Sequence, residues 1–248
     1  MKKIVSPLML AMALASAGTA MAQTAPAEPE SSLSFNVGAV NEYRYRGLSQ
    51  SRLDPALQGG VDYADKSGAY IGVWGSSIKW IKDAGGKAGT EVDIYGGYKF
   101  TVGDVGYDVG FLRYEYSGNA MAAVTGANAN TNELYGAATV GPATLKYSRS
   151  TGNLFATAGS KGSGYFDLSA TFDMGDGYSL TPHLGRQIVK GSSFYSYTDY
   201  ALTLGKDLGN GLAASAALIG TNANTGAYSY GTKQLGKAGL VVGIKYAF

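Results

Sequence analysis

Several segments of the chain carry ionisable side chains at every second residue. Glu42, Arg44 and Arg46 have this spacing, and Glu91 and Asp93 repeat it. The residues between them are aromatic or apolar, so an extended chain would present unlike side chains on its two faces. Charges of both signs on one face suit contact with water and hydrophilic solutes, because burying them without partners is very costly.

The same alternation continues along the chain and predicts one polar wall. If the apolar faces meet lipid, the opposite faces line an interior. The predicted pore-lining residues are Glu42, Arg44, Arg46, Asp62, Glu91, Asp93, Lys99, Asp108, Arg113, Lys146, Asp167, Asp173, His183, Lys237 and Lys245, with Glu133 and Asp199 on the same faces. Glycines on these faces favour a narrow aqueous pore. A plugged barrel with structural ion pairs is the alternative.

The wall mixes both signs, so it predicts no strong preference for anions or cations. Arg44 and Arg46 lie two residues apart on one face. They either form part of a basic ladder that guides acidic solutes, or pair with Glu42 or another neighbour.

Composition argues against catalysis, cofactors and metals. The chain has no cysteine and one histidine, His183, which removes thiol chemistry and histidine-rich metal centres. Some membrane barrels are lipases with a Ser–His pair, but no G-x-S-x-G segment accompanies His183. No segment fits an EF-hand loop. We therefore predict no catalytic, cofactor-binding or metal-binding residues, and a structural role for His183.

The elements that carry these side chains are predicted to be strands, since no helical period occurs after Leu33. The first predicted strand places Leu33, Val37, Tyr43 and Tyr45 on one face, and the last alternates up to Phe248. The pattern gives 12 strands, which are Leu33–Arg46, Leu57–Tyr63, Tyr70–Trp80, Glu91–Phe100, Val105–Tyr116, Glu133–Val140, Ala143–Ser150, Phe166–Met174, Tyr178–Val189, Thr198–Asp207, Leu212–Gly220 and Lys237–Phe248. A phase change between Phe111 and Leu112 suggests a β-bulge.

The connections between these strands alternate long and short. Short ones such as Gly103-Asp104 and Gly141-Pro142 have the composition of tight hairpins. Hairpins at one rim and long loops at the other are typical of outer-membrane barrels. Because lipid offers no hydrogen bonds, strands that span it must close. The fold class predicted is an all-β, antiparallel, transmembrane up-and-down β-barrel.

The N-terminus predicts export. Residues 1–22 combine Lys2 and Lys3, an apolar run and a small-residue cleavage site, as a signal peptide does. Residues 23–32 are rich in Pro, Glu and Ser and predict a disordered lead, which leaves 33–248 for the barrel. The predicted mature chain has 18 basic and 18 acidic residues, which argues against nucleic acid as a partner. The expected location is the outer membrane of a Gram-negative bacterium.

Aromatic residues agree with a barrel in lipid. Rings near the hairpin ends of outward faces, including Phe35 and Tyr246, would form one girdle, and Tyr43, Tyr45 and Tyr147 would contribute to the other. The chain ends on Phe248, which resembles the signal read by the barrel-assembly machinery. Outer-membrane lipid and that machinery are therefore expected partners, together with a small hydrophilic solute. A monomer or a small homo-oligomer is expected.

Four segments resemble the TorF-type porin family of proteobacteria, a group of otherwise unknown function. They are Asn41–Gln50 (NEYRYRGLSQ), Pro55–Tyr63 (PALQGGVDY), Gly68–Ser77 (GAYIGVWGSS) and Glu91–Tyr98 (EVDIYGGY). The resemblance implies an outer-membrane barrel with porin activity, and it implies no substrate and no site residues.

The sequence therefore predicts a porin-like channel for passive diffusion of small hydrophilic solutes through a narrow polar lumen, and not an enzyme. The alternative is a non-conducting structural or adhesive barrel that acts through its extracellular loops. A soluble periplasmic sandwich is the remaining structural alternative.

Overall fold

The computed structural model describes residues 31–248. The predicted signal peptide, and the predicted lead up to residue 30, lie outside the described residues. Period-2 alternation produces strands almost throughout the described chain. The barrel strands are β1 (Ser32–Val40), β2 (Ala56–Ala64), β3 (Ala69–Ser77), β4 (Thr90–Val102), β5 (Val105–Glu115), β6 (Thr131–Val140), β7 (Ala143–Ser150), β8 (Gly164–Ala170 and, after Thr171, Phe172–Gly175), β9 (Tyr178–Ile188), β10 (Tyr197–Gly209), β11 (Leu212–Thr221) and β12 (Gly239–Ala247).

Each strand pairs antiparallel with the strands before and after it in sequence, and β1 pairs with β12. The closing register runs from Asn36 opposite Ala247 to Val40 opposite Gly243. This closure leaves no open sheet edge to bind other chains. The predicted all-β, 12-stranded, antiparallel transmembrane barrel is confirmed.

The outer surface of the barrel is apolar. Val37, Leu57, Leu168 and Ile244 are 52%, 71%, 48% and 50% exposed and point away from the barrel axis. We call the rim that carries the short turns the hairpin rim. There, aromatic rings stack in pairs, such as Phe35 on Phe248 with centroids 5.7 Å apart. An apolar band bounded by aromatic rings is the lipid-facing surface of a transmembrane barrel.

The predicted bulge between Phe111 and Leu112 is wrong. The β4–β5 register is continuous from Val92 opposite Glu115 to Val102 opposite Val105. Leu112 points inward and packs on the buried core. Arg113 lies opposite outward-facing Ile94, so it points outward and binds Glu115. It was predicted to line the pore; the unbroken register removes it from the wall.

Six long loops meet at one rim, and we number them L1 (41–55), L2 (78–89), L3 (116–130), L4 (151–163), L5 (189–196) and L6 (222–238). They hold a helix α1 (Trp80–Asp83), a helix α2 (Met121–Thr125) and a 3₁₀ turn (Ser193–Tyr195). Two short ribbons lie in L1 (Arg44–Tyr45 with Leu48–Ser49) and L6 (Ser229–Tyr230 with Lys233–Gln234). Within residues 31–248, no helix is long and apolar enough to cross a membrane.

The hydrophobic core lies at the loop rim. It contains residues from the strand ends and from L1 to L4, including Tyr43, Ile81, Met121 and Ala156. β1 ends at Val40, whereas the alternation predicted a strand that continues to Arg46. Tyr43 and Tyr45 are therefore buried inside the rim at 2% and 9% exposure, and their predicted place in an outward girdle is wrong.

Candidate functional site

The candidate site is the interior of the barrel, where L1 folds inward. Its two-stranded ribbon pairs Arg44 with Ser49 and Tyr45 with Leu48, and Arg46 and Gly47 form the turn. We call Arg44–Ser49 the L1 hairpin. Every residue of the hairpin is buried.

Arg46 is at the tip of the L1 hairpin and reaches the far wall. Its Nη2 lies 2.7 Å from Glu133 Oε2 on β6, and its Nη1 donates to Gln187 Oε1 on β9 at 2.7 Å. Its guanidinium also lies 4.1 Å from the ring centroid of Tyr165 on β8. A buried charge is tolerated only with such partners, so these contacts hold the tip in place.

Gly47 fits the opposite side of the lumen closely. Its backbone has φ +78°, a conformation that favours glycine. A Cβ at this position would overlap Thr221 Cγ2 on β11 and lie 2.7 Å from Asp199 Cβ on β10. The turn therefore has space for glycine alone unless the hairpin moves.

Two hydroxyl groups hold the base of the hairpin against the wall. Tyr43 donates to one oxygen of Glu91 at 2.5 Å, and Tyr116 of L3 donates to the other at 2.6 Å. The hydroxyls of Tyr45 and Tyr114 share a hydrogen bond of 2.7 Å. Glu91 was predicted as a pore-lining charge, and its carboxylate is 1% exposed and fully occupied by these two donors.

Arg44 pairs with Glu42, which was one of its two predicted roles, at 2.9 Å. It also donates to the carbonyl oxygen of Lys237 at 2.7 Å. Glu42, Arg44 and Arg46 belong to L1 and not to a wall strand. Lys237 precedes β12, and it is exposed in L6, so its predicted place on the wall is wrong.

Nearer the hairpin rim, tyrosines pair with the wall carboxylates. Tyr95 donates to Asp62 at 2.5 Å, and Tyr70 donates to Asp108 at 2.7 Å. Two predicted wall lysines lie over rings, namely Lys99 over Tyr70 at 5.0 Å and Lys146 over Tyr135 at 4.0 Å. Sequence reasoning missed these inward tyrosines. The sequence did contain a signal for them, since each tyrosine is adjacent to an outward-facing apolar residue, namely Ile71, Ile94 or Leu134.

His183 lies between two wall carboxylates. Its Nε2 is 3.3 Å from Asp167 and its Nδ1 is 3.6 Å from Asp199. Tyr165 donates to Asp199 at 3.0 Å and lies 3.4 Å from His183 Nε2. Within residues 31–248, the polar contacts of His183 are thus with two carboxylates and one tyrosine hydroxyl. Its structural role stays a prediction.

The remaining predicted charges differ in their exposure. Asp93 on β4 is inward, and its Oδ1 is buried without a hydrogen-bond partner in the described chain. Lys245 on β12 lies opposite Gly38 and is half-buried. Asp173 lies at the hairpin rim and is exposed, as is Lys99. The charged side chains of the wall are therefore exposed at the hairpin rim and buried around the L1 hairpin.

A cavity of about 310 Å³ lies at the loop rim, on the L1 hairpin. All six long loops contribute to its wall, for example through Gln50, Trp80, Tyr116, Phe155, Tyr195 and Tyr228. We call it the vestibule. Tyr45, Leu48 and Ser49 of the L1 hairpin contribute to its lining.

Charged contacts join three loops beside the vestibule. Asp54 of L1 binds Lys79 of L2 at 2.7 Å and Lys233 of L6 at 3.3 Å. Arg52 binds Asp83 with its Nε 2.9 Å from Oδ2. Hydrogen bonds from Lys79 and Lys233 lower the pKa of Asp54 below its usual value. These contacts hold the loops together at neutral pH.

Comparison with solved structures supports the fold. The chain is similar to KdgM porin (TM-score 0.56, 11% identity, covering 87% of this chain and 99% of that one). It is also similar to NanC porin (0.55, 10%, 88% and 99%) and to Omp33 from Acinetobacter baumannii (0.50, 8%, 90% and 100%). At these identities the similarity extends to the fold alone.

Sequence comparison identifies a family. No curated protein matches the sequence significantly. A family model described as a bacterial protein of unknown function, Gcw_chp, matches residues 23–248. The TorF-type resemblance stays a prediction. The chain belongs to the Gcw_chp family.

Proposed function

We propose that this protein is an outer-membrane, porin-like channel that lets small hydrophilic solutes diffuse through its lumen. The observation that carries the proposal is a polar interior accessible to water at one rim, where Lys99 and Asp173 are exposed. Charged groups on such a wall are stable only in contact with water or partners. A barrel with a purely structural role has no need of wet charges inside.

The location follows from the surface and the termini. The apolar outer band requires lipid, and the predicted signal peptide directs the chain across the inner membrane. Phe248 stacks on Phe35 and on Tyr246 at the hairpin rim, with centroids 5.7 and 5.4 Å apart. This exposed terminal ring is the feature that we expect the barrel-assembly machinery to bind.

The charge of the lumen favours cations over anions. The charges within the pairs Arg44–Glu42 and Arg46–Glu133 balance each other. With Arg113 and Lys237 outside the wall, its other carboxylates outnumber its lysines; the former are Asp62, Glu91, Asp93, Asp108, Asp167, Asp173 and Asp199, and the latter Lys99, Lys146 and Lys245. One KdgM porin structure is a complex with disordered oligogalacturonate, an acidic sugar. Here Arg44 and Arg46 already bind Glu42 and Glu133, so they offer no free basic ladder to such a ligand.

Passage requires a change in the L1 hairpin. The hairpin touches β6, β8, β9, β10 and β11 through the contacts described above, and Tyr43 beside it binds Glu91 of β4. Its residues Tyr45, Leu48 and Ser49 line the vestibule. We therefore propose that it is the constriction, and that solutes pass when it moves aside from Gln187 and Glu133.

Planar-bilayer recording of the purified full chain tests the proposal. We compare the wild type with a variant in which Arg44–Ser49 is replaced by glycine and serine. The control is the same replacement of 222–226, a segment of L6 that does not line the vestibule. We expect conductance steps in the wild type, larger or more frequent steps in the first variant, and unchanged steps in the control.

A second candidate is a non-conducting structural or adhesive barrel. The buried Arg46–Glu133 pair favours it, because this pair fixes the hairpin across the lumen. Absence of any conductance step at all voltages, both in the wild type and in the variant without the L1 hairpin, would support this candidate and exclude the channel.

A further inference from the structure

Three basic side chains converge on the outside of the barrel, away from the lumen. Arg149 ends the outward face of β7, Lys161 lies in L4 and Lys190 in L5, and all three are exposed. Together with Leu134, they line a shallow cavity of about 560 Å³ at the loop rim. We call these three residues the basic cluster.

The basic cluster contains no counter-charge. None of the described residues that line the cavity is acidic. Within residues 31–248, the side chains of Arg149, Lys161 and Lys190 form no salt bridge or hydrogen bond. This distinguishes them from Arg44, Arg46, Arg52 and Arg113, each of which binds a carboxylate.

Gly162 allows two of these side chains to come together. A Cβ at Gly162 would lie 3.5 Å from Arg149 Nη2 and 3.7 Å from Lys190 Cδ, so both side chains lie over its bare backbone. Gly162 also has φ +87°. Like charges held this close repel one another, and an anion between them would convert the repulsion into attraction.

The position of the cluster selects the kind of anion. Arg149 lies directly opposite Leu134 in the β6–β7 register, and Leu134 is 56% exposed on the lipid-facing surface. A ligand here contacts positive charge towards the long loops and the apolar outer surface of the strands towards the hairpin rim. That combination matches a lipid whose headgroup carries phosphate, since Arg and Lys bind phosphate and the apolar surface contacts acyl chains.

We propose that Arg149, Lys161 and Lys190 form a binding site for a phosphorylated lipid headgroup at the loop rim of the barrel. The site rests on the proposed membrane location and is independent of conductance. Arg186, which points outward on β9 and donates to Thr198 at 3.1 Å, adds a fourth positive charge on the same face.

Native mass spectrometry of the full chain in detergent tests the site. The ligands are diphosphorylated lipid A, phosphatidylcholine and inorganic phosphate. The test variant carries Arg149→Gln, Lys161→Gln and Lys190→Gln. The matched control carries Lys66→Gln, Lys82→Gln and Lys87→Gln, which removes the same charge from exposed lysines outside the cavity. Heat-modifiable electrophoretic migration verifies that each barrel is folded.

We expect the wild type and the control to bind lipid A, and the test variant to bind it at least about tenfold more weakly, since each basic residue near an anionic lipid contributes substantially. Equal binding by all three proteins would overturn the proposal. Equal affinity for phosphatidylcholine would do so too, because it would show unspecific lipid contact.

Two further results separate the sources of phosphate. We expect inorganic phosphate to displace lipid A only at a concentration far above that of the lipid. Displacement at equal concentration would indicate a site for free phosphate and overturn the lipid assignment.

The single variant Lys161→Glu, in a loop, should also weaken lipid A binding. The lipid-binding test does not depend on conductance. If the barrel binds lipid A but shows no conductance in planar bilayers, the channel proposal fails and the lipid site stands.

Discussion

A single methyl group at Gly47 should displace the L1 hairpin. In Gly47→Ala, the new Cβ meets Thr221 Cγ2 and lies 2.7 Å from Asp199 Cβ. The backbone at φ +78° adds strain of about 1–2 kcal/mol for a residue with a side chain. Overpacking of this kind costs about 1–3 kcal/mol. Together these effects disfavour the inserted hairpin by roughly 2–5 kcal/mol.

A free-energy change of this size is measurable in single channels. Since about 1.4 kcal/mol corresponds to a factor of ten, the ratio of inserted to displaced hairpin should fall by a factor of about 30 or more. We expect the open fraction of Gly47→Ala in planar bilayers to rise accordingly. The variant should remain a folded barrel, because L1 lies outside the wall strands and their pairing does not involve it.

Gly159 provides the matched control. It has φ +74° in L4, and a Cβ there meets no atom within 4 Å. Gly159→Ala therefore introduces the same backbone strain without the overlap, and its open fraction should equal that of the wild type. If Gly47→Ala and Gly159→Ala have the same open fraction, the tip of the L1 hairpin does not obstruct the lumen and the reasoning is refuted.

Three other outcomes follow from the site. Glu133→Gln removes the carboxylate that holds Arg46, and breaking a buried pair costs about 3–5 kcal/mol; trypsin should then cleave after Arg46 faster than in the wild type. The lowered pKa of Asp54 means that its contacts persist at neutral pH and weaken only as pH falls through that value; trypsin at pH 7 should therefore cleave after Lys233 faster in Asp54→Asn than in the wild type. The excess of wall carboxylates predicts a cation-selective reversal potential in a salt gradient, reduced in Asp62→Asn; an anion-selective potential would contradict it.

The strands could be predicted from sequence because two unlike solvents impose a strict period of two. Leu168 and Ile244 must face lipid, and Asp167 and Lys245 must not, so a slip of one residue would be very costly. The tight turns follow from local chemistry, as in Gly209-Asn210-Gly211, where all three residues have positive φ. Strand number and closure were thus available without tertiary information.

The L1 hairpin could not be predicted in the same way. Tyr43 and Tyr45 continue the alternation of β1, so periodicity alone extends the strand beyond Val40. What turns the chain inward is a set of partners distant in sequence, chiefly Glu91, Glu133 and Gln187. Gly47 was the one local signal, since a glycine within an alternating segment is typical of a turn.

Arg113 was misplaced for a related reason. The apolar phase changes at Leu112, and a bulge is the local explanation for such a change. The strand keeps its register instead, because Leu112 packs inward on the core formed by the loops, and Glu115 compensates the outward charge of Arg113. A core at only one end of a barrel is a tertiary property that alternation does not report.

The pairing of β1 with β12 has a consequence for biogenesis. Among the described strands, this seam pairs the two that lie farthest apart in sequence, so its loop-closure entropy is the largest of any strand pair. The seam should be the last pair to form, and until it forms β1 and β12 each present an unpaired edge to neighbouring chains. Closure of this seam, and not the formation of any one hairpin, is then the step that completes the barrel.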